Sequence, residues 1–176
     1  MQEIRLIKPT MEYAQEIERF RQEVLDAGDA DCFAGCCNLE DCASVEDWIR
    51  AAGMQERQET CPKGRVPSSV YLALRLSDQK IVGIIDFRHR LCPPVLSVWG
   101  GHIGYTVRPG ERGKGYAKEM LRQNLHNCRS RGLDRVLVTC NRDNLASEKT
   151  ILANGGVFER EIKVGKAAIK RFWIEL

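Results

Sequence analysis

The chain of 176 residues is 43% hydrophobic, 29% charged and 7% aromatic, the composition of one compact domain spanning residues 1–176 and not of a disordered tail, a coiled coil or a collagen-like repeat. Its apolar runs, such as residues 81–85, are a handful of residues long, against the roughly 20 needed to span a bilayer, so no membrane segment is expected. A formal net charge of +3 hides an asymmetry: residues 1–60 carry 14 acids and 6 bases, and residues 61–176 carry 10 acids and 21 bases.

That asymmetry points to two parts that face different partners, with solvated faces and no partner as the alternative reading. The basic charges are spread over several elements with no basic block or nucleic-acid signature, which fits a small polyanion better than DNA or RNA. The opening Met-Gln-Glu-Ile-Arg-Leu has no apolar block or cleavage site, so a cytoplasmic protein with reduced thiols is expected despite eight cysteines. The cluster Cys32, Cys36, Cys37, Cys42 and Cys61 lacks paired Cys-x2-Cys spacing and a nearby histidine. Scattered thiols are therefore favoured over a metal site.

In chain order, residues 3–8 alternate Ile4 and Leu6 with charged neighbours and predict a strand. Thr10 then caps a helix with Tyr13, Ile17, Phe20 and Val24 on one face, ended by Gly28. Residues 28–43, rich in Gly, Asp and Cys, predict a long loop. Ser44 caps a second helix bearing Val45, Trp48, Ile49 and Ala52. The period then shortens. Residues 70–76 and 81–89 predict an antiparallel hairpin, and residues 98–107 a third long strand after the break at Leu91-Cys92-Pro93-Pro94. A helix of about 15 residues from Gly113 follows, with Tyr116, Ala117, Met120, Leu121 and Leu125 inward, then a buried-type strand at 135–140, a helix at 144–154 and strands at 158–164 and 168–175. This order is that of a mixed α/β (α+β) sheet.

The most informative segment runs from Gly104 to Ala117, where a strand ends at Val107, a turn Arg108-Pro109-Gly110 follows and a helix begins at once. The free amides of residues 112–117 then converge at the positive end of that helix and form an anion cradle. Gly113 and Gly115 leave the backbone approachable, and Arg112 and Lys114 add positive charge, so a pyrophosphate is the natural guest. Neither a nucleotide P-loop nor a dinucleotide Gly-x-Gly-x-x-Gly fingerprint is present.

Arg112-Gly113-Lys114-Gly115-Tyr116-Ala117 resembles the Arg/Gln-x-x-Gly-x-Gly/Ala signature of the GNAT superfamily of acyl-CoA-dependent N-acyltransferases. About 30 residues later, Asn144-Leu-Ala-Ser147 and the run from Asn154 to Phe158 resemble the family's second block. The likeness covers residues 68–176, while residues 1–60 match only as a strand and two-helix opening. The resemblance implies a mostly antiparallel sheet of six or seven strands flanked by about four helices, with a splayed strand pair holding acetyl-CoA. Backbone groups near Tyr105 and Val107 would pair with the pantetheine arm. The amides of Arg112, Gly113, Lys114, Gly115, Tyr116 and Ala117 would hold the pyrophosphate, and Asn144 and Ser147 would reach the pantetheine or lie near the sulfur. Asn144 also suits a plain helix N-cap, and the two roles are compatible.

The implied reaction is transfer of acetyl from acetyl-CoA to a primary amine of a small molecule or peptide by direct attack in a ternary complex. No metal is implied, and homodimers are frequent among such proteins. The family's usual acid, a tyrosine one turn after Asn-x-x-Ser, is replaced here by Ile151. Tyr105 and Tyr116 are the alternatives, as is unassisted departure of the thiolate. For the base, His102, Asp86 and His89 are candidates, and His102 is equally readable as a histidine hydrogen-bonded within the sheet. Cys140 is read as buried packing over an acyl-carrying nucleophile. Trp48, Trp99 and Trp173 are read as core or pocket wall. The acidic first third predicts a cationic acceptor. An acyl-CoA-binding regulatory module without turnover is the alternative reading, and residues 28–43, the second helix and residues 64–69 are where acceptor choice is expected to lie.

Overall fold

The computed structural model describes residues 3–28, 33–92 and 94–176. Seven strands form one open sheet: β1 (Ile4–Ile7), β2 (Ser68–Arg75), β3 (Ile81–Arg88), β4 (Ile103–Val107), β5 (Arg135–Asn141), β6 (Val157–Val164) and β7 (Ala167–Glu175). Their spatial order is β1-β2-β3-β4-β5-β7-β6. Every pairing is antiparallel except that of β4 with β5. Four α-helices, α1 (Ala14–Ala27), α2 (Val45–Gln55), α3 (Tyr116–Ser130) and α4 (Leu145–Leu152), cover the two faces.

Alternation along the strands divides the core in two, because successive side chains on a strand point to opposite faces. On one face Val70, Leu72, Leu74 and Ile84 meet Ile17, Phe20 and Val24 of α1 and Trp48 of α2. On the other, Ile85, Phe87, Val136, Val138 and Phe172 meet Met120, Leu121 and Cys128 of α3. The α1 triplet keeps the helical spacing expected from its sequence, and each of these fully buried side chains contributes about 2 kcal/mol through burial. Thr10 precedes a 3₁₀ turn (Met11–Tyr13) and makes no side-chain cap, so α1 starts at Ala14. Ser44 caps α2 as predicted, its hydroxyl accepting the Asp47 N–H at 3.1 Å.

One predicted element is different. Residues 98–107 do not form a single strand: Leu96–Gly100 is a π-helical turn, and β4 begins only at Ile103. The carbonyls a strand would have offered its neighbours are taken by side chains. The buried Arg171 of β7 donates to the carbonyls of Ser97 and Val98, and Thr139 Oγ1 donates to the Trp99 carbonyl at 2.6 Å. Held this way, the turn leaves Trp99 at the surface, 42% exposed.

The apolar side of α3 is also rotated relative to expectation. Asn124 and Cys128 are buried and Leu125 only partly so, because Asn124 Nδ2 reaches the Asp86 carbonyl at 3.2 Å inside the sheet.

Candidate functional site

The parallel pair β4 and β5 touches at one register position, Ile103 opposite Val138, and the strands then part. His102, immediately before β4, sets where they part. Its backbone N–H donates to the Leu137 carbonyl at 2.7 Å, and its ring Nδ1 accepts the Leu137 N–H at 2.8 Å. The imidazole therefore stands in for a strand carbonyl, with its proton on Nε2. Protonating Nδ1 would set a donor against a donor. Burial, together with the Arg88 charge, accordingly lowers the His102 pKa to about 4.

This makes a testable statement about stability. The unfolded chain takes up a proton on His102 near pH 6.5, the folded chain only near pH 4, so this contribution is present above pH 6.5 and is lost as the pH falls toward 4. Between pH 7.5 and 5 the wild type is expected to lose about 2 kcal/mol that a His102→Gln variant does not lose, as read from urea midpoints. Parallel losses in the two proteins would contradict the bracket.

Two cavities flank β4 where the strands part. The larger, about 640 Å³, runs from Arg112, Gly113 and Gly115 along Tyr116, Ala117 and Val107 to Tyr105, Asn144 and Ser147. Its far end is built as the sequence predicts, with α3 starting directly behind a glycine-rich turn. Gly113 (φ 75°) and Gly115 (φ 87°) hold left-handed backbone that places the chain against the helix end. The first bond of α3 runs from the Glu119 N–H to the Gly115 carbonyl, so the N–H groups of residues 116–118 have no acceptor within the helix.

The basic side chains of the loop are occupied differently from expectation. Lys114 Nζ turns back onto the Gly110 carbonyl at 2.8 Å and Glu111 Oε2 at 2.9 Å, while Arg112 Nε donates to the Val107 carbonyl at 3.2 Å. Glu111, 5% exposed, is the buried anchor beneath the loop. Burial would raise its pKa, but hydrogen bonds from Lys114, Arg75 and Lys80 outweigh that and hold it at about 2. Arg75 also donates to the Tyr116 hydroxyl at 3.2 Å, tying the first residue of α3 to β2. The buried Arg108 pairs with Glu16 at 2.8 Å and ties the exit of β4 to α1. The cradle is thus backbone on an ionic scaffold.

The second cavity, about 430 Å³, lies on the other side and is lined by Phe33, Glu40, Arg88, Trp99, Gly104, Thr139 and Cys140. Tyr105, Asn144 and Ser147 belong to both cavities. There the Tyr105 hydroxyl crosses from β4 to α4 and lies 2.7 Å from Ser147 Oγ. Burial raises the Tyr105 pKa, so the phenol stays protonated at neutral pH. Asn144 is the N-cap of α4, its Oδ1 accepting the Ser147 N–H at 3.0 Å, while its side chain also lines the cavities. Ile151, one turn after Ser147, is fully buried in the core and lines neither cavity.

The other candidates are placed elsewhere. His102 lines neither cavity. Asp86 is buried, accepts the Gly104 N–H at 2.9 Å and pairs with Arg88 Nε at 3.1 Å. His89 Nε2 lies 2.9 Å from Ser69 Oγ, away from both cavities, and burial lowers its pKa to about 4. Cys140 faces the second cavity, but burial raises its thiol to about 11, which keeps it protonated. Trp48 is core and donates to the Cys36 carbonyl at 2.8 Å. Among the described residues no three His, Cys, Asp or Glu side chains gather as metal ligands, and Cys32 lies outside the described residues. No helix there is long and apolar enough to cross a membrane.

Glu40, Thr150, Lys118 and Lys149 also line the cavities and were not singled out by sequence. Thr150, Lys118 and Lys149 lie one turn from recognised motif positions, a signal helical spacing could have supplied. Nothing in the loop pattern marks Glu40.

Comparison with known proteins agrees with this fold. Residues 12–157 match the family model described as an acetyltransferase (GNAT) domain. No curated protein sequence matches significantly. A GnaT-family acetyltransferase from Bordetella pertussis, itself described as putative, superposes with a TM-score of 0.67 at 17% identity, over 97% of this chain and 94% of that one. The microcin self-immunity acetyltransferase MccE, solved with acetyl-CoA and AMP, gives 0.71 at 16% identity over 99% and 93%. The ribosomal alpha-N-protein acetyltransferase RimL, solved with coenzyme A, gives 0.67 at 16% identity over 98% and 94%.

Proposed function

Because the chain belongs to the GNAT acetyltransferase family, we propose that it transfers acetyl from acetyl-CoA to a primary amine in a ternary complex, in the cytoplasm and without a metal. The observation that carries this reading is that the two cavities meet at Tyr105, Asn144 and Ser147. A coenzyme arm laid along β4 from the cradle at residues 112–117 would bring its thioester to that junction. An acceptor in the smaller cavity would approach from the opposite side. The solved relatives with acetyl-CoA or coenzyme A support the coenzyme assignment, and RimL is by its description a protein α-amine acetyltransferase.

In the reaction the amine nitrogen, once neutral, attacks the thioester carbonyl carbon. A C–N bond forms, the C–S bond breaks, the nitrogen loses a proton and the sulfur gains one. Positioning of the two reactants by the walls of the splay supplies much of the acceleration. Tyr105 is the proton donor to the sulfur, taking over from β4 the role that Ile151 cannot fill from α4. Its hydrogen bond to Ser147 orients the hydroxyl, and the proton released by the amine nitrogen restores the phenol once the thiol has formed. His102 keeps a positioning role at the start of the splay.

The test is acetyl-CoA titration combined with product detection over a panel of primary amines. Binding plus amide formation is expected. Binding with no transfer to any amine would replace this reading with a regulatory coenzyme-binding module. Tyr105→Phe is expected to lower kcat about 10²-fold while leaving acetyl-CoA affinity within about twofold. An unchanged kcat would remove Tyr105 from proton transfer.

A further inference from the structure

The turn before β4 is held more heavily than a surface turn requires. Its own ring is closed by the Gly101 N–H on the Leu96 carbonyl at 2.8 Å. Each of the next four carbonyls accepts a side-chain donor from a strand of the sheet. Arg171 of β7 serves Ser97 and Val98, Thr139 of β5 serves Trp99 at 2.6 Å, and Arg88 of β3 serves Gly100 at 3.3 Å. A single helical turn would leave such carbonyls to water, and here three strands supply the donors instead.

The most demanding of these donors is Arg171, which is 4% exposed. A guanidinium is taken out of water only where a partner compensates its charge, and that partner comes from an irregularity at the sheet edge. Along β6 and β7, Phe158 stands opposite Phe172 and Arg160 opposite Arg171, so Glu159 is the extra residue of a bulge. A bulge re-aims the side chain it carries. The Glu159 carboxylate accepts Arg171 Nε at 2.6 Å, and that bond lowers its pKa, so the pair stays ionised at neutral pH. With Nε held by Glu159, the rigid fork of the guanidinium is fixed on Ser97 and Val98. The turn so held is part of the wall of the smaller cavity, which Trp99 and Gly100 line.

Building on the N-acetyltransferase reading above, we infer that the acceptor packs against Trp99, and that Arg171, aimed by the Glu159 bulge, is the positioning residue that keeps Trp99 in place. Trp99 is the largest side chain in that wall and, at 42% exposed, the indole offers a broad flat surface to a bound molecule. Trp99, Arg171 and Glu159 do not line the larger cavity. The relay from the sheet edge therefore acts on acceptor binding and leaves the coenzyme side alone.

The test uses the full-length protein with acetyl-CoA and three acceptors, 2-phenylethylamine, spermidine and alanyl-phenylalanine amide, and follows the one with the highest kcat/KM. Trp99→Ala and Arg171→Met are each expected to raise its KM about tenfold with kcat held within about threefold. Acetyl-CoA affinity is expected to stay within about twofold, which shows that each variant is folded. The double variant is expected to match Trp99→Ala within about twofold, because Arg171 acts through Trp99, whereas an arginine with a general structural role would add a loss of its own. Arg171→Lys, which keeps the charge but not the fork, is expected to regain part of the loss. Should Arg171→Met fail to fold, Glu159→Gln reads the same relay, with KM raised about threefold when Trp99 is present and unchanged in the Trp99→Ala background. An unchanged KM in Trp99→Ala, additive losses in the double variant, or acetyl-CoA affinity falling in step with the rise in KM would each overturn the assignment while leaving the acetyltransferase reading in place. Absence of transfer from coenzyme-bound wild type to all three acceptors would remove both.

Discussion

Gly115→Val is expected to weaken acetyl-CoA binding at least about 100-fold, because a charge-assisted hydrogen bond from a backbone amide to an oxyanion contributes about 1.5–3 kcal/mol and the cradle offers several. Gly115 is the N-cap of α3 at φ 87°, ψ 0°, backbone that a β-branched residue adopts only at a cost of about 1–2 kcal/mol. The loop escapes the strain by rotating, which turns its N–H groups away from the cavity, or it keeps its shape and puts the valine methyls at the cavity wall. Either outcome removes the anion site. Gly115 is exposed and belongs to neither core, although Tyr116 beside it is buried in one, so stability is expected to fall by no more than about 2 kcal/mol. Calorimetric titration with acetyl-CoA reads the affinity directly. If the dissociation constant stayed at its wild-type value, the diphosphate would have to bind elsewhere and the proposed function would lose its basis.

The second large effect is expected at the other end of the site. A Cβ on Gly35 would stand 2.1 Å from the Gly104 carbonyl oxygen and 2.8 Å from the Tyr105 nitrogen, and Gly35 itself sits at φ 78°. The obstacle is the backbone of a central strand, which cannot yield as a flexible side chain can. Gly35→Ala must therefore lift the loop from β4. That breaks the Thr106 hydroxyl bond to the Ala34 carbonyl, 2.8 Å, and displaces Phe33 and Glu40 from the cavity. A stability loss of about 3 kcal/mol or more is expected, with acetyl transfer to any amine falling at least about 100-fold. Acetyl-CoA binding is expected to survive, because the cradle is anchored independently through Glu111, Arg75 and Lys114. Loss of coenzyme binding in parallel with transfer would mean that loop and cradle form one cooperative unit.

The strand–turn–helix joint at the start of α3 was legible because everything it needs lies within about a dozen consecutive residues: a strand that ends at Val107, a turn, two glycines and a helix. Ser44 and Asn144 were legible as caps for the same reason, since a cap bonds an N–H three residues away. The GNAT-type sheet was likewise expected, and the seven-stranded order with its single parallel pair agrees with that expectation. Ile151 was read as a departure from the family pattern and is buried in the core, while the contact of Tyr105 with Ser147 across 42 positions has no local signature.

Other features belong to long-range contacts. Residues 96–100 have strand-like composition, and their carbonyls are withdrawn from pairing by distant side chains, Arg171 more than seventy positions away and Thr139 forty. His102 looked equally suited to catalysis and to the sheet until its ring met the Leu137 N–H. Glu40 is an ordinary acid in an acidic stretch, and only the fold places it at the wall of the smaller cavity, where Arg88 is already paired with Asp86.

What the amino-acid order determined by itself was the periodicity of most strands and helices, the caps of α2 and α4 and the glycine turn that opens α3, because these depend on torsions and hydrogen bonds between near neighbours. What only the tertiary structure decided was where β4 and β5 part and which tyrosine faces the junction. Those outcomes depend on which groups packing brings together and which donors remain unspent, and the chain settles that only once it has closed on itself.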